Sequence, residues 1–157
     1  ASMLISNIFI LGEKMRKKFQ HEVDAAGISQ LSALGIVAAQ TAYEKGDEWY
    51  HAMLSYVREN IAYVKAYIAD HMPGVNVIDG EGTYLLWLDF RKTGIDPDEL
   101  DRRIIYDAKL WLDSGKIFGK TGAGFQRINV ACPQSTLKEA LERIAEVLPA
   151  DTVKAAS

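Results

Sequence analysis

The chain has 157 residues, of which 48% are hydrophobic and 25% charged, and its formal net charge at pH 7 is −3. A chain of this length can bury a core without metal or disulfide support, and its single cysteine, Cys132, excludes a disulfide within the chain. The mildly acidic balance gives no reason to expect nucleic-acid binding, the longest apolar run is too short to cross a bilayer, and we expect a soluble cytoplasmic protein.

The first half of the chain predicts one strand followed by helices. Uncharged, apolar residues over 4–11 predict a buried strand, and a helix is expected from Glu13 to a stop at Gly27. A second, mostly buried helix is expected over 29–43. Over 47–71 apolar residues recur every three or four positions, which predicts one long helix joining two structural units.

After residue 74 the period of the apolar residues changes from that of a helix to that of strands. The predicted elements are strands near 75–77 and 84–90, a helix over 96–110 capped by Asp96 with Pro97 at its first position, short extended pieces at 111–112 and 117–118, a strand within 124–133, and a final helix from Ser135 or Thr136. This β-β-α-β-β-α order predicts an α+β fold with helices on one face of a small sheet.

Several kinds of functional site are excluded by spacing. His21, His51 and His71 share no i, i+4 pair, so no metal site is predicted. The Gly-x-Ser-x-Gly pattern of serine hydrolases is absent. Residues 114–121 end in Gly-Lys-Thr like a phosphate-binding loop, but Ser114 stands where the first glycine is required and a strand-like run follows instead of a helix.

Arg127 lies near the middle of a predicted strand, where an arginine is unusual. Strand alternation puts Ile128, Val130 and Cys132 on the face that packs against the last helix, and Arg127 and Asn129 on the opposite face. On pattern alone two interpretations stay open. Arg127 is either an arginine on a solvated sheet face or a planar fork, held by rigid backbone, that grips a carboxylate.

Three motifs together resemble a known family. Residues 82–89 (GTYLLWLD), 111–119 (WLDSGKIFG) and 124–133 (GFQRINVACP) are similar to the C-terminal part of fold-type I pyridoxal-phosphate enzymes of the class I/II aminotransferase-like family, in the cystathionine β-lyase (C–S lyase) branch. The likeness runs over about 6–148. It implies a remnant of the large cofactor domain at 1–45, a small C-terminal domain with its linker helix at 46–150, and a flexible tail at 151–157.

The resemblance also implies a function. The chain would be a fragment of a pyridoxal-phosphate-dependent C–S β-lyase acting on sulfur amino acids such as cystathionine, with an aminotransferase or a non-catalytic binding module as the alternatives. Arg127 would clamp the α-carboxylate of the amino-acid substrate, Thr83 and Tyr84 would line the substrate entrance, and Asn129 would belong to the same binding set. We expect no catalytic, cofactor-binding or metal-binding residue in the chain itself.

In this family a lysine forms a Schiff base with pyridoxal phosphate, and it lies shortly before the strand matched by residues 4–11. We therefore expect that lysine outside this chain, and we expect the chain alone to be inactive and not to hold the cofactor covalently. The expected partners are the amino-acid substrate, the remainder of the parent polypeptide, and a second subunit in a homodimer. The fragment is also expected to self-associate. We expect it to bind neither nucleic acid nor membrane.

Overall fold

The computed structural model describes residues 8–28 and 32–149. The chain divides into two compact units, Ala1–Met53 and Leu54–Ser157. The boundary falls inside one long helix, which begins in the first unit and continues into the second.

The described part of the first unit is mainly helical. Helix α1 spans Glu13–Ala25, helix α2 spans Ala33–Lys45, and helix α3 spans Asp47–His71 and contributes its first residues to this unit. Helix α2 begins where the Ser32 hydroxyl accepts a hydrogen bond from the backbone N–H of Gly35 at 3.3 Å, which satisfies one of the unpaired donors of the first turn. These helices confirm the predicted pattern, although residues 29–31 lie outside the described part.

Two predictions for this unit are wrong. Residues 8–11 form no strand and Leu11 is 99% exposed, while the rest of the predicted strand lies outside the described residues. Helix α2 buries only Gly35, and Leu34 is 83% exposed. A strand needs a neighbouring backbone and an apolar helix needs a covering layer, and the described residues of this unit provide neither.

The second unit contains a four-stranded antiparallel sheet. Its strands are β1 (Asn76–Ile78), β2 (Leu85–Asp89), β3 (Asp113–Ser114) and β4 (Phe125–Asn129), in the spatial order β1-β2-β4-β3. The register pairs Arg127 of β4 with Trp87 of β2 on one side and with Asp113 of β3 on the other. Arg127 is therefore placed between an aromatic and an acidic residue by the backbone pairing itself.

Along the chain, one helix follows β2 and another follows β4. Helix α4 spans Pro97–Arg102 and continues as a π-helical turn over Arg103–Asp107, and helix α5 spans Gln134–Glu146. The carboxylate of Asp96 accepts hydrogen bonds from the N–H groups of Asp98 and Glu99, which confirms the predicted cap. Helix α4 and its π turn stop before the predicted end at residue 110.

The segment between α4 and β4 is where the strand prediction fails in part. The short strand lies at 113–114 instead of 111–112, and Gly115–Phe118 forms a 3-10 helix instead of a second extended piece. The Ser114 hydroxyl accepts from the N–H of Lys116 and so begins this tight turn. Two further 3-10 turns lie at Arg91–Thr93 and Lys120–Gly122. The second of these contains the Lys-Thr of the Gly-Lys-Thr sequence, so no α-helix begins there.

One face of the sheet packs with the helices to form the core, as predicted. Burial alternates along β2 and β4, so that one set of side chains is buried and the other is only partly covered. The core side chains are Val57, Val64, Ile68, Met72, Val75, Leu86, Leu88, Phe90, Leu100, Ile104, Ala108, Ile128, Val130, Leu137, Leu141, Ile144 and Leu148. No helix in the described residues is long and apolar enough to cross a membrane.

Candidate functional site

Arg127 lies on the less buried face of the sheet. Its neighbours Gln126 and Ile128 are buried in the core, while the Arg127 side chain is 25% exposed. This confirms the predicted alternation along β4. The guanidinium is thus held by a central strand yet remains within reach of solvent and of a ligand.

Asp113 forms an ion pair with Arg127. Nε and Nη2 of Arg127 both donate to Oδ2 of Asp113, at 3.1 and 2.5 Å. The two residues are directly opposite each other in the β3–β4 register, so the backbone pairing brings the side chains together. One edge of the guanidinium is consequently fixed.

One aromatic ring, that of Phe118, lies against a face of the same guanidinium. The central carbon of the Arg127 guanidinium lies 4.6 Å from the centroid of the Phe118 ring, which is a cation–π contact. The Trp87 ring meets Phe118 edge to face at 5.1 Å between centroids. Within the described residues, no hydrogen-bond partner contacts Nη1 of Arg127.

A cavity of about 320 Å³ lies beside this pair. Its lining includes Arg127, Asp113, Trp111, Asn129, Cys132 and Thr136. The volume is within the range of small-molecule sites. Burial raises the pKa of the Cys132 thiol, which keeps it protonated and unsuited to act as a nucleophile near neutral pH.

The other predicted site residues lie near one end of β4. Asn129 lines the cavity, and its side-chain oxygen accepts a hydrogen bond from the N–H of Ala131 at 2.8 Å. Thr83 has a positive φ of 68°, and its hydroxyl accepts from the N–H of Leu85 at 3.2 Å. The carbonyl of Tyr84 accepts from the N–H of Val130. Neither Thr83 nor Tyr84 is among the residues that line the cavity.

Comparison with known proteins identifies the family, although no family model matches the chain. Cystathionine β-lyase PatB of Bacillus subtilis is 32% identical over 148 residues, which are 94% of this chain and 38% of PatB. The cystathionine β-lyase of Corynebacterium glutamicum is 33% identical over 153 residues, which are 94% of this chain and 39% of the relative. This chain is a homologue of the C–S lyases.

A solved structure agrees with the sequence relatives. The crystal structure of cystalysin from Treponema denticola, which contains a pyridoxal 5′-phosphate cofactor, matches with a TM-score of 0.87 and 34% identity, over 93% of this chain and 37% of cystalysin. The chain therefore spans less than two fifths of the length of these relatives, and it corresponds to the C-terminal part of a fold-type I pyridoxal-phosphate enzyme.

The lysines in the described part of the chain are either exposed or paired with carboxylates. All of them are exposed except Lys116, whose ammonium group forms ion pairs with Asp101, at 2.6 Å, and with Asp98. Hydrogen bonds from Lys116 to these two carboxylates raise the pKa of Lys116, whereas a Schiff-base lysine must lose its proton to react. Among the described residues there is also no cluster of side chains that could hold a metal ion.

The sequence singled out Arg127 as a candidate but did not predict the residues that contact it. Asp113 lies in a segment where the predicted strand was two residues out of place, and Phe118 was expected in an extended piece. Both residues belong to the WLDSGKIFG motif, so the signal was present in the sequence. What was missing was the β3–β4 register, which brings residues 14 positions apart into contact.

Proposed function

We propose that the complete protein is a pyridoxal-phosphate-dependent C–S β-lyase for a sulfur-containing amino acid, and that this chain supplies the group that binds the α-carboxylate of the substrate. The similarity to cystathionine β-lyases supports the reaction class. The observation that carries the proposal is the guanidinium of Arg127, which is fixed on a central strand and lines a cavity of about 320 Å³. We expect the complete enzyme to be a cytoplasmic homodimer.

Arg127 is suited to this role by the geometry of its donors. One N–H of Nη1 and one of Nη2 are parallel and can donate to the two oxygens of a carboxylate. A hydrogen bond to a charged group contributes about 1.5–3 kcal/mol. Binding the α-carboxylate in this way fixes the orientation of the substrate Cα, from which a proton must be removed before the Cβ–S bond breaks.

The remaining chemistry lies outside the residues described above. Pyridoxal phosphate supplies the electron sink for the negative charge that develops on the substrate Cα. The half-buried Lys116 is committed to Asp98 and Asp101, and every other described lysine is exposed. We therefore expect the 157-residue chain, mixed with pyridoxal phosphate, to show neither β-lyase turnover nor stoichiometric covalent attachment in its visible absorbance. Robust turnover would contradict this.

Replacement of Arg127 in the complete enzyme tests the clamp. Arg127→Lys keeps the charge but removes the fork, so we expect kcat/KM for the amino-acid substrate to fall about 10- to 100-fold. Arg91→Lys is the matched control, since Arg91 also pairs with an aspartate, Asp89, and lies over a ring, Phe125, at 4.5 Å, but does not line the cavity. We expect kcat/KM of Arg91→Lys to stay within about twofold of wild type.

Two further measurements sharpen this test. An amine inhibitor that lacks the α-carboxylate should bind wild type and Arg127→Lys equally well, because it never uses the fork. A lyase also releases thiol, 2-oxo acid and ammonia without any added amino-group acceptor, which separates this function from that of an aminotransferase. If kcat/KM of Arg127→Lys equals that of wild type, the assignment of Arg127 is wrong.

A further inference from the structure

We propose that Asp113 is the positioning residue of the carboxylate clamp: it occupies one edge of the Arg127 guanidinium and thereby restricts the substrate carboxylate to the Nη1–Nη2 end. This inference rests on the proposed role of Arg127 in substrate binding. It adds a second residue to the site and a defined binding mode.

The hydrogen-bond donors of Arg127 define the mode. A guanidinium has five N–H groups and can bind a carboxylate in parallel either at its Nε–Nη2 edge or at its Nη1–Nη2 end. Asp113 takes the Nε–Nη2 edge with a single oxygen, Oδ2. The parallel pair that remains is the one formed by Nη1 and the second N–H of Nη2. A substrate carboxylate can therefore approach only from the end.

Asp113 is itself held in place by its surroundings. Its Cα is paired with that of Arg127 in the antiparallel register. The next residue, Ser114, donates its hydroxyl hydrogen to Oδ2 of Asp101 at 3.0 Å, which anchors the two-residue strand β3 to the helix α4. The Phe118 ring lies against one face of the guanidinium and blocks its rotation out of the plane of the ion pair. The clamp is thus ordered before a substrate arrives.

The charge of Asp113 gives the proposal a distinctive signature. Asp113 partly neutralises the charge of Arg127, so the substrate carboxylate is the second anion around one guanidinium. Asp113 therefore helps catalysis by orienting the substrate and not by attracting it. Asp113→Asn keeps an acceptor oxygen for the guanidinium and removes the competing charge. Asp113→Ala removes both the acceptor and the charge. The two variants should therefore differ in kcat although both lack the carboxylate.

A double-mutant cycle in the complete enzyme tests the proposal. We expect Asp113→Ala to lower kcat/KM about tenfold, mostly through kcat, and to cause no further loss when combined with Arg127→Lys. Asp113→Asn should restore kcat to within about threefold of wild type with a KM no higher than that of wild type. Binding of a carboxylate-bearing inhibitor, measured by calorimetry, provides a readout besides activity: Arg127→Lys should weaken it, whereas Asp113→Ala should not, because Asp113 supplies orientation and not attraction.

The controls distinguish this inference from the proposed function. Asp107→Ala removes an exposed carboxylate that pairs with Arg102, away from the clamp, and should leave kcat/KM unchanged. Since Asp113 is 40% exposed on an edge strand, its variants should fold, and Asp113→Ser carries the same test if the alanine variant does not. If Arg127→Lys is without effect, the proposed function fails. Two outcomes would overturn only the role of Asp113, provided that Arg127→Lys lowers kcat/KM. In the first, Asp113→Ala has the kcat/KM of wild type. In the second, Asp113→Ala lowers kcat/KM by the same factor in wild type and in Arg127→Lys.

Discussion

Asn60 is the buried polar residue on which the position of β4 depends most directly. It lies in α3, is fully buried, and its side-chain nitrogen donates to the carbonyl oxygens of Val130 at 2.8 Å and of Cys132 at 3.0 Å. These carbonyls follow the end of β4, the strand that carries Arg127. Asn60 therefore ties the helix to the connection between β4 and α5.

The structure allows the cost of Asn60→Ala to be worked out. The substitution leaves two carbonyl oxygens without their donor, one of them on the fully buried Val130 and the other on the partly buried Cys132. A buried group left unpaired costs about 1–3 kcal/mol. The side-chain oxygen of Asn60 has no hydrogen-bond partner among the described residues, so its removal breaks no further hydrogen bond. We expect the free energy of unfolding to fall by about 2–4 kcal/mol.

Asn60→Asp gives the same prediction a dependence on pH. A carboxylate at this position cannot donate to either carbonyl, and burial beside two oxygens raises its folded-state pKa above the unfolded value of about 3.9. The protonated acid can donate one hydrogen bond. The stability of this variant relative to wild type is therefore greatest below about pH 4 and falls as the pH rises through the folded-state pKa, in the sense opposite to that of an ordinary paired aspartate.

Urea unfolding followed by tryptophan fluorescence measures these effects. Glu59→Ala is the control, because Glu59 precedes Asn60 on the same helix but is exposed, and its replacement should change the unfolding free energy by less than about 0.5 kcal/mol. If Asn60→Ala is as stable as this control, the two hydrogen bonds do not secure β4. A variant Asn60→Asp whose stability relative to wild type is the same at pH 4 and pH 7 would contradict the electrostatic part of the reasoning.

Two more predictions concern the strands around the site. Gly124 has a φ of 82°, and a Cβ at this position would lie 2.8 Å from Cγ of Arg91. Gly124→Ala should therefore lower the unfolding free energy by about 1–2 kcal/mol in thermal unfolding. Gly82→Ala is the control, because its added Cβ would have no atom within 4 Å, and it should cost nothing. A hydrogen bond from Arg91 lowers the pKa of the buried Asp89, so its contribution to stability is present above its unfolded pKa of 3.8 and is lost as the pH falls through the lower folded value. Asp89→Asn should flatten the fall in unfolding free energy below pH 4; an unchanged acid limb would exclude Asp89 as its source.

The sequence was sufficient where the signal was local. Helix α3 was predicted with its observed ends, 47 and 71, because the 3–4 residue spacing of its apolar residues runs over its whole length. The start of α4 followed from Asp96 and Pro97, because a cap and a first-turn proline act within three residues. The predicted α3 stripe nevertheless missed Asn60, since a buried asparagine has no periodic signature and depends on carbonyls 70 residues away.

The sequence was insufficient where burial depends on other parts of the chain. The apolar residues of 8–11 and of α2 predicted burial, but an apolar run shows only that cover is favourable and not which residues provide it. The 3-10 helix at Gly115–Phe118 was missed for a related reason. Short turns carry no period, and this one depends on the hydroxyl of Ser114 and on the close approach of Gly115 to the backbone of Gly122.

Arg127 and Arg91 show how far local chemistry can define a site. Each arginine donates twice to an aspartate and lies over a phenylalanine ring at about 4.5 Å, so hydrogen bonding and stacking alone do not separate them. The difference lies in the partner and the place. Arg91 pairs with Asp89 two residues away, whereas Arg127 pairs across strands and borders the cavity. This pairing across strands, beside a cavity, is the reason we propose Arg127 rather than Arg91 as the residue that binds the carboxylate.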